Sequence, residues 1–313
     1  MTPRDLFPVS DDGTRAAAFV AIGDSFTEGL NDPAPGGGFH GWADRLAGML
    51  AAEYPGLRYA NLAVRGKLLR QIVAEQVPAA LDLLADSAAG SAGATAGSGL
   101  VSIAAGGNDI LRPGGDPDTL AELFDAAVAR LRAAGCEVMM FTGFDPQAFA
   151  LMKLLRGRIA AYNMHLRAIA DDHGCYLVDL WSMRFLRETS AWSPDRLHLT
   201  SASHLRIALR ACEVLGVPVA EDWRALPDLP LSSGAASAES SGTLEDAGPV
   251  AVASASLAPA PRAEWIAARR EDARWAREYL VPWVSRRLHG TSSGDGLPPK
   301  RPALQAVTPP IVM

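Results

Sequence analysis

AAFVAIGDS (17–25) reads as a buried strand that runs into a turn. Its apolar residues run without alternation and stop at Gly23, as a strand buried on both faces does. Four further runs outward from it share this character: LRYANLAV (57–64), LVSIAAGGND (100–109), CEVMMFTGF (136–144) and CYLVDLWS (175–182). Between them lie apolar residues at helical spacing. Trp42, Leu46, Met49 and Leu50 mark one helix, and Leu68 to Leu84 a second with Pro78 as a kink or boundary. Leu120, Phe124, Val128 and Leu131 mark a third, which Gly135 ends. Residues 159–169 and 205–215 supply two more. Strands alternating with helices predict an α/β fold, a five-stranded parallel sheet with helices on both faces.

Two segments depart from this pattern. DSAAGSAGATAGSG (86–99) is small and polar and reads as a loop. Residues 232–261 are rich in Ala and Ser and lack aromatics, too little apolar surface to offset ordering entropy, so they read as a disordered linker. The expected α/β domain is therefore 1–231. Residues 262–289 form an Arg-rich helical segment carrying Trp265, Trp275 and Trp283. Such a helix docks on its own domain, or contacts a partner or a membrane surface. Residues 290–313 read as a disordered tail.

Composition narrows the function. A net charge of −6 gives no overall basic field for nucleic acid. Cys136, Cys175 and Cys212 are odd in number and far apart, which argues against a disulfide framework or a thiolate zinc site. The opening MTPRDLFPVSDDGTR places Pro, Asp and Arg where a secretory signal needs an apolar run. With no stretch near the roughly 20 apolar residues of a membrane span, the expected location is the cytoplasm.

In a doubly wound sheet, ligands bind beyond the carboxyl ends of the strands. The residues there are Gly23-Asp24-Ser25, the stretch Asn61 to Gly66, and Gly106-Gly107-Asn108-Asp109, with Trp192 to His198 before the last helix. This set suits acyl transfer. A serine hydroxyl needs a base within hydrogen-bond reach, and a histidine base needs an acceptor on its other nitrogen. Asp195 and His198, three apart, fit on one turn. The Ser25 N–H, the Gly66 N–H and the Asn108 amide are candidate oxyanion donors. His204 is the nearest rival to His198, but it lies inside the following helix. Asp24 and Asp109 read as turn and cap residues.

GDSFTEG (23–29), NLAVRG (61–66), GGND (106–109) and DRLH (195–198) together resemble, in order, the four blocks of the SGNH hydrolases, also called GDSL esterases and lipases. The likeness covers about residues 16–216 and is nearest to cytoplasmic actinobacterial members. It implies a flavodoxin-like three-layer α/β/α sandwich that needs neither metal nor cofactor, with 1–231 as the hydrolase domain. It implies Ser25 as nucleophile, His198 as general base and acid, and Asp195 as the orienting carboxylate. It also implies an oxyanion hole of Ser25, Gly66 and Asn108. The expected function is a serine esterase or acylhydrolase acting on a small-molecule, lipid or carbohydrate ester. Carbohydrate O-acetylesterase, lysophospholipase and thioesterase remain open within that class. The alternative is a non-catalytic ligand-binding or scaffold protein on the same sandwich.

Overall fold

A computed structural model describes residues 6–7, 17–89, 99–149, 152–226, 270, 274–282 and 292–309. The chain divides into two compact units, Met1–Asp228 with Thr291–Met313, and Leu229–Gly290.

The first unit is built on a six-stranded sheet. Its strands are β1 (Ala18–Gly23), β2 (Arg58–Asn61), β3 (Leu100–Ala104), β4 (Glu137–Phe141), β5 (Tyr176–Val178) and β6 (Arg301–Ala306), in the order β5-β4-β3-β1-β2-β6. The first five strands pair in parallel, and their 2-1-3-4-5 order is the flavodoxin-like one. The order reverses between β1 and β3, which opens a crevice at their carboxyl ends.

Every residue of β1 is buried, because both faces of the sheet are covered. Phe19 and Ala21 face α2 (Gly41–Glu53) and α8 (Ser201–Leu215), where they join Trp42, Leu46, Ile207 and Cys212. Val20 and Ile22 point the other way, a consequence of the two-residue strand period. There they meet Ile72, Leu84, Phe124 and Leu166. That second layer contains α6 (Pro117–Ala133) and α7 (Arg156–His173). Burial pushes the Cys136 thiol up to about 11 and the Cys212 thiol up to about 12, so both stay protonated at neutral pH.

The helix expected over 68–84 is composite. α3 (Leu69–Gln71) leads into a π-helical stretch, Ile72–Gln76, and then α4 (Val77–Ala89). Pro78 has no N–H to return to the preceding turn, and the wider π turn lies directly before it. Most of the loop expected at 86–99 lies outside the described residues.

Two expectations need correction. The sheet has six strands rather than five, and the sixth comes from residues expected to be a disordered tail, 290–313. β6 pairs antiparallel with the edge strand β2. An edge position tolerates Pro302, which has no N–H for a second neighbour. Leu304 is the one residue of β6 that is buried. The unit Leu229–Gly290 is thus an insertion between α8 and β6 in chain order. The linker expected at 232–261 and most of the helical segment 262–289 lie outside the described residues. Those described there include a π-helical turn, Ala276–Leu280. Among the described residues, no helix is long and apolar enough to cross a membrane.

Candidate active site

The site begins where β1 ends. Asp24 caps α1 (Ser25–Glu28), its carboxylate accepting the Phe26 N–H at 3.1 Å, and Ser25 opens the helix half-buried. The backbone just before this turn is gripped from the side. The Gln76 side chain, on the π turn, accepts the Gly23 N–H at 2.7 Å and donates to the Gly23 carbonyl at 2.9 Å. The buried backbone donor and acceptor of this one residue are thereby both satisfied.

His198 and Asp195 sit on a hairpin closed by the Trp192–Leu199 bridge and by Ser193 N–H donating to the His198 carbonyl at 2.8 Å. Arg196 adopts a left-handed φ of 54°, folding the chain back so that Asp195 receives its neighbours. One carboxylate oxygen accepts the backbone N–H groups of Leu197 and His198, each at 3.0 Å. The other lies 2.6 Å from His198 Nδ1 and accepts the Asn31 amide at 2.8 Å. Burial acts to raise the Asp195 carboxyl, but the His198 bond and charge and the backbone donors outweigh it and hold the group below the ordinary carboxylate value. Asp195 is therefore an anion at neutral pH and an acceptor for a proton on His198 Nδ1.

A His–Asp contact alone does not single out this pair. His165 with Asp118 and His173 with Asp125 approach to 2.7 Å as well. What distinguishes His198 is that it lines the same cavity as Ser25. This cavity of about 190 Å³ lies beyond the carboxyl ends of β1, β3, β4 and β5, and its walls include Phe26, Ile110, Phe141, Phe144, Ile159 and Trp192.

The matching family model, described as GDSL-like Lipase/Acylhydrolase family, covers residues 21–206, more than half of the 313 residues. The chain belongs to that family. It is accordingly a carboxylic ester hydrolase. No curated protein matches it significantly. Among solved structures it is similar to LAE5, an alpha/beta hydrolase enzyme from the metagenome of Lake Arreo, Spain. The TM-score is 0.52 at 23% identity, over 64% of this chain and 95% of that one. It is also similar to Axe2, an acetylxylan esterase from Geobacillus stearothermophilus. There the TM-score is 0.51 at 21% identity, over 66% of this chain and 95% of that one. At such identities these likenesses speak for the shared fold.

In this GDSL-like hydrolase the remaining sequence candidates are placed as follows. Asn108 lies in α5 (Gly107–Ile110), and its amide nitrogen donates to the Asp24 carboxylate at 2.8 Å and to the Lys67 carbonyl at 3.2 Å. Gly66 follows Arg65, whose guanidinium forks onto the Glu28 carboxylate. Neither Gly66 nor Asn108 is among the cavity's lining residues. Asp109 accepts the Leu69 N–H at 3.0 Å, a structural bond as its sequence position suggests. His204 is buried, its Nδ1 accepting the Trp42 N–H at 3.2 Å. Burial pushes its pKa down to about 3, so it is a neutral packing residue.

Sequence reasoning missed Asn31, Gln76, Glu28 with Arg65, and Lys300. The partners of Asn31 and Gln76 are separated by 164 and 53 positions, and no local pattern signals such contacts.

Proposed function

We propose that this hydrolase cleaves esters of short to medium apolar acyl groups through an acyl-enzyme on Ser25. The observation that carries the proposal is the Asp195–His198 pair, 2.6 Å apart, whose histidine lines the apolar cavity that Ser25 also lines. Ser25 Oγ attacks the ester carbonyl while His198 Nε2 takes its proton. The carbonyl oxygen becomes the oxyanion, received by the N–H groups of Ser25 and Gly66 and by the Asn108 amide. For that, Asn108 exchanges its Lys67 bond for the substrate, while Asp24 keeps the amide oriented. The C–O bond to the alcohol then breaks, and the alcohol leaves with the proton from His198. Water, deprotonated by His198, attacks the acyl-enzyme and releases the carboxylic acid, restoring the Ser25 hydroxyl.

The cavity supports the acyl side of this reading. At about 190 Å³ it exceeds the roughly 150 Å³ apolar cavity that admits benzene, so a six-carbon chain fits. Each buried methylene contributes about 0.8 kcal/mol, close to fourfold. A p-nitrophenyl series from acetate to palmitate tests this. The expected kcat/KM rises about threefold to fourfold per methylene up to hexanoate and levels off or falls beyond it. A maximum at acetate contradicts the assignment of the cavity to the acyl chain.

A further inference from the structure

We propose that residues 292–300 form a strap that orients the Arg65–Gly66 peptide, with Ser292 as a positioning residue for the oxyanion site. The proposal rests on the reading of the Gly66 N–H as an oxyanion donor.

The Arg65 carbonyl and the Gly66 N–H belong to one planar trans peptide, so they point in opposite directions. Whatever holds the carbonyl aims the N–H. Ser292 Oγ donates to that carbonyl at 3.3 Å. The serine is itself fixed: its N–H donates to the Asp295 carboxylate at 2.6 Å, and the Gly294 N–H donates to its Oγ at 3.2 Å. On the amino side, the Arg65 N–H donates to the Glu28 carboxylate at 2.8 Å. The peptide is thus set between the nucleophile helix and the strap.

The fit is tight on both sides. Gly66 has φ +76°, and a Cβ there would lie 1.9 Å from Ser292 Oγ. A Cβ on Gly294 would lie 2.1 Å from the Arg65 carbonyl oxygen. The two glycines permit an approach that any side chain would block.

The strap is anchored at its far end. The Lys300 ammonium donates to the Glu28 carbonyl at 2.7 Å and the His40 carbonyl at 2.7 Å, and pairs with the Asp44 carboxylate. β6 follows at once and joins the sheet. Glu28 therefore receives the strap on its backbone and the Gly66 loop on its side chain, three positions after Ser25.

The test uses full-length protein carrying Ser292→Ala or Gly294→Ala, with p-nitrophenyl butyrate as substrate and butylboronic acid as the probe of the oxyanion site. Losing a whole oxyanion donor costs about 10²–10³ in kcat, and misaiming one costs part of that. Ser292→Ala is expected to lower kcat about tenfold with KM within about twofold, and boronate affinity is expected to fall in step. Gly294→Ala is expected to do the same or more, because it displaces the carbonyl itself. A role confined to stability would lower the melting temperature and leave kcat and boronate affinity unchanged. That result in both variants overturns the proposal. A Ser25→Ala protein as active as the parent overturns the underlying reading of the site. An inactive Ser25→Ala beside an unaffected Ser292→Ala and Gly294→Ala overturns the strap alone.

Discussion

Asn31 donates its side-chain amide to the Asp195 carboxylate at 2.8 Å, across 164 positions of sequence. The same carboxylate oxygen holds His198 Nδ1 at 2.6 Å. The loop after α1 is thereby bonded to the hairpin that carries His198. Asn31 has a left-handed φ of 71°, a conformation that asparagine tolerates better than most residues.

Replacing Asn31 isolates this bond. Asn31→Gly suits the positive φ and removes only the amide. Asp195 keeps its backbone donors, so the carboxylate remains an anion but is held less firmly. A hydrogen bond to a positioned group contributes about 0.5–1.5 kcal/mol. The expected result is kcat lower by roughly 2–10-fold with KM little changed, measured by steady-state kinetics. An unaltered kcat would show that the hairpin alone holds Asp195.

His204 sets the acid side of stability. Its pKa of about 3 in the folded protein lies below the unfolded value near 6.5, because burial disfavours the charged ring. Between these values the unfolded chain binds the proton and the folded chain does not. The stability this histidine allows is complete above about pH 6.5 and is lost as pH falls toward 3, at up to about 1.4 kcal/mol per unit. Melting curves from pH 7 to 4.5 are expected to fall more steeply for the parent than for His204→Asn, which keeps a polar side chain without a titrating ring. Parallel curves would contradict the assignment.

Lys300 is the anchor of the C-terminal strand. Burial pushes its pKa down and that of Asp44 up, against the attraction between them. Removing one member of a buried pair costs on the order of 3 kcal/mol, and the Arg301 guanidinium, 3.4 Å from the other Asp44 oxygen, compensates only in part. Lys300→Met is therefore expected to lower the melting temperature by about 6–12 °C. Thermal unfolding followed by circular dichroism measures it. A shift under about 2 °C would mean that β6 is held by its strand pairing alone.

These contacts also show what a sequence discloses. β1 was legible because AFVAIG is wholly apolar and ends at a glycine, both local signals. Asp195 and His198 were legible because three positions on one turn suffice to bring them together. β6 was not, because RPALQA buries a single residue, Leu304, and contains a proline. Its place depends on Lys300 meeting carbonyls 260 and 272 positions away, and composition carries no trace of that. Gln76 escaped notice for the same reason: only the π turn before Pro78 presents its amide to Gly23.

In the proposed reaction Ser25 carries the acyl group. The most direct measurement is to treat the full-length protein with a fluorophosphonate and locate the adduct by peptide mass spectrometry. The expected result is one modified residue, Ser25, in the parent, no adduct in Ser25→Ala, and labelling slowed by roughly 10³-fold or more in His198→Ala. An adduct on another residue, or labelling of Ser25→Ala at the parent's rate, would contradict it.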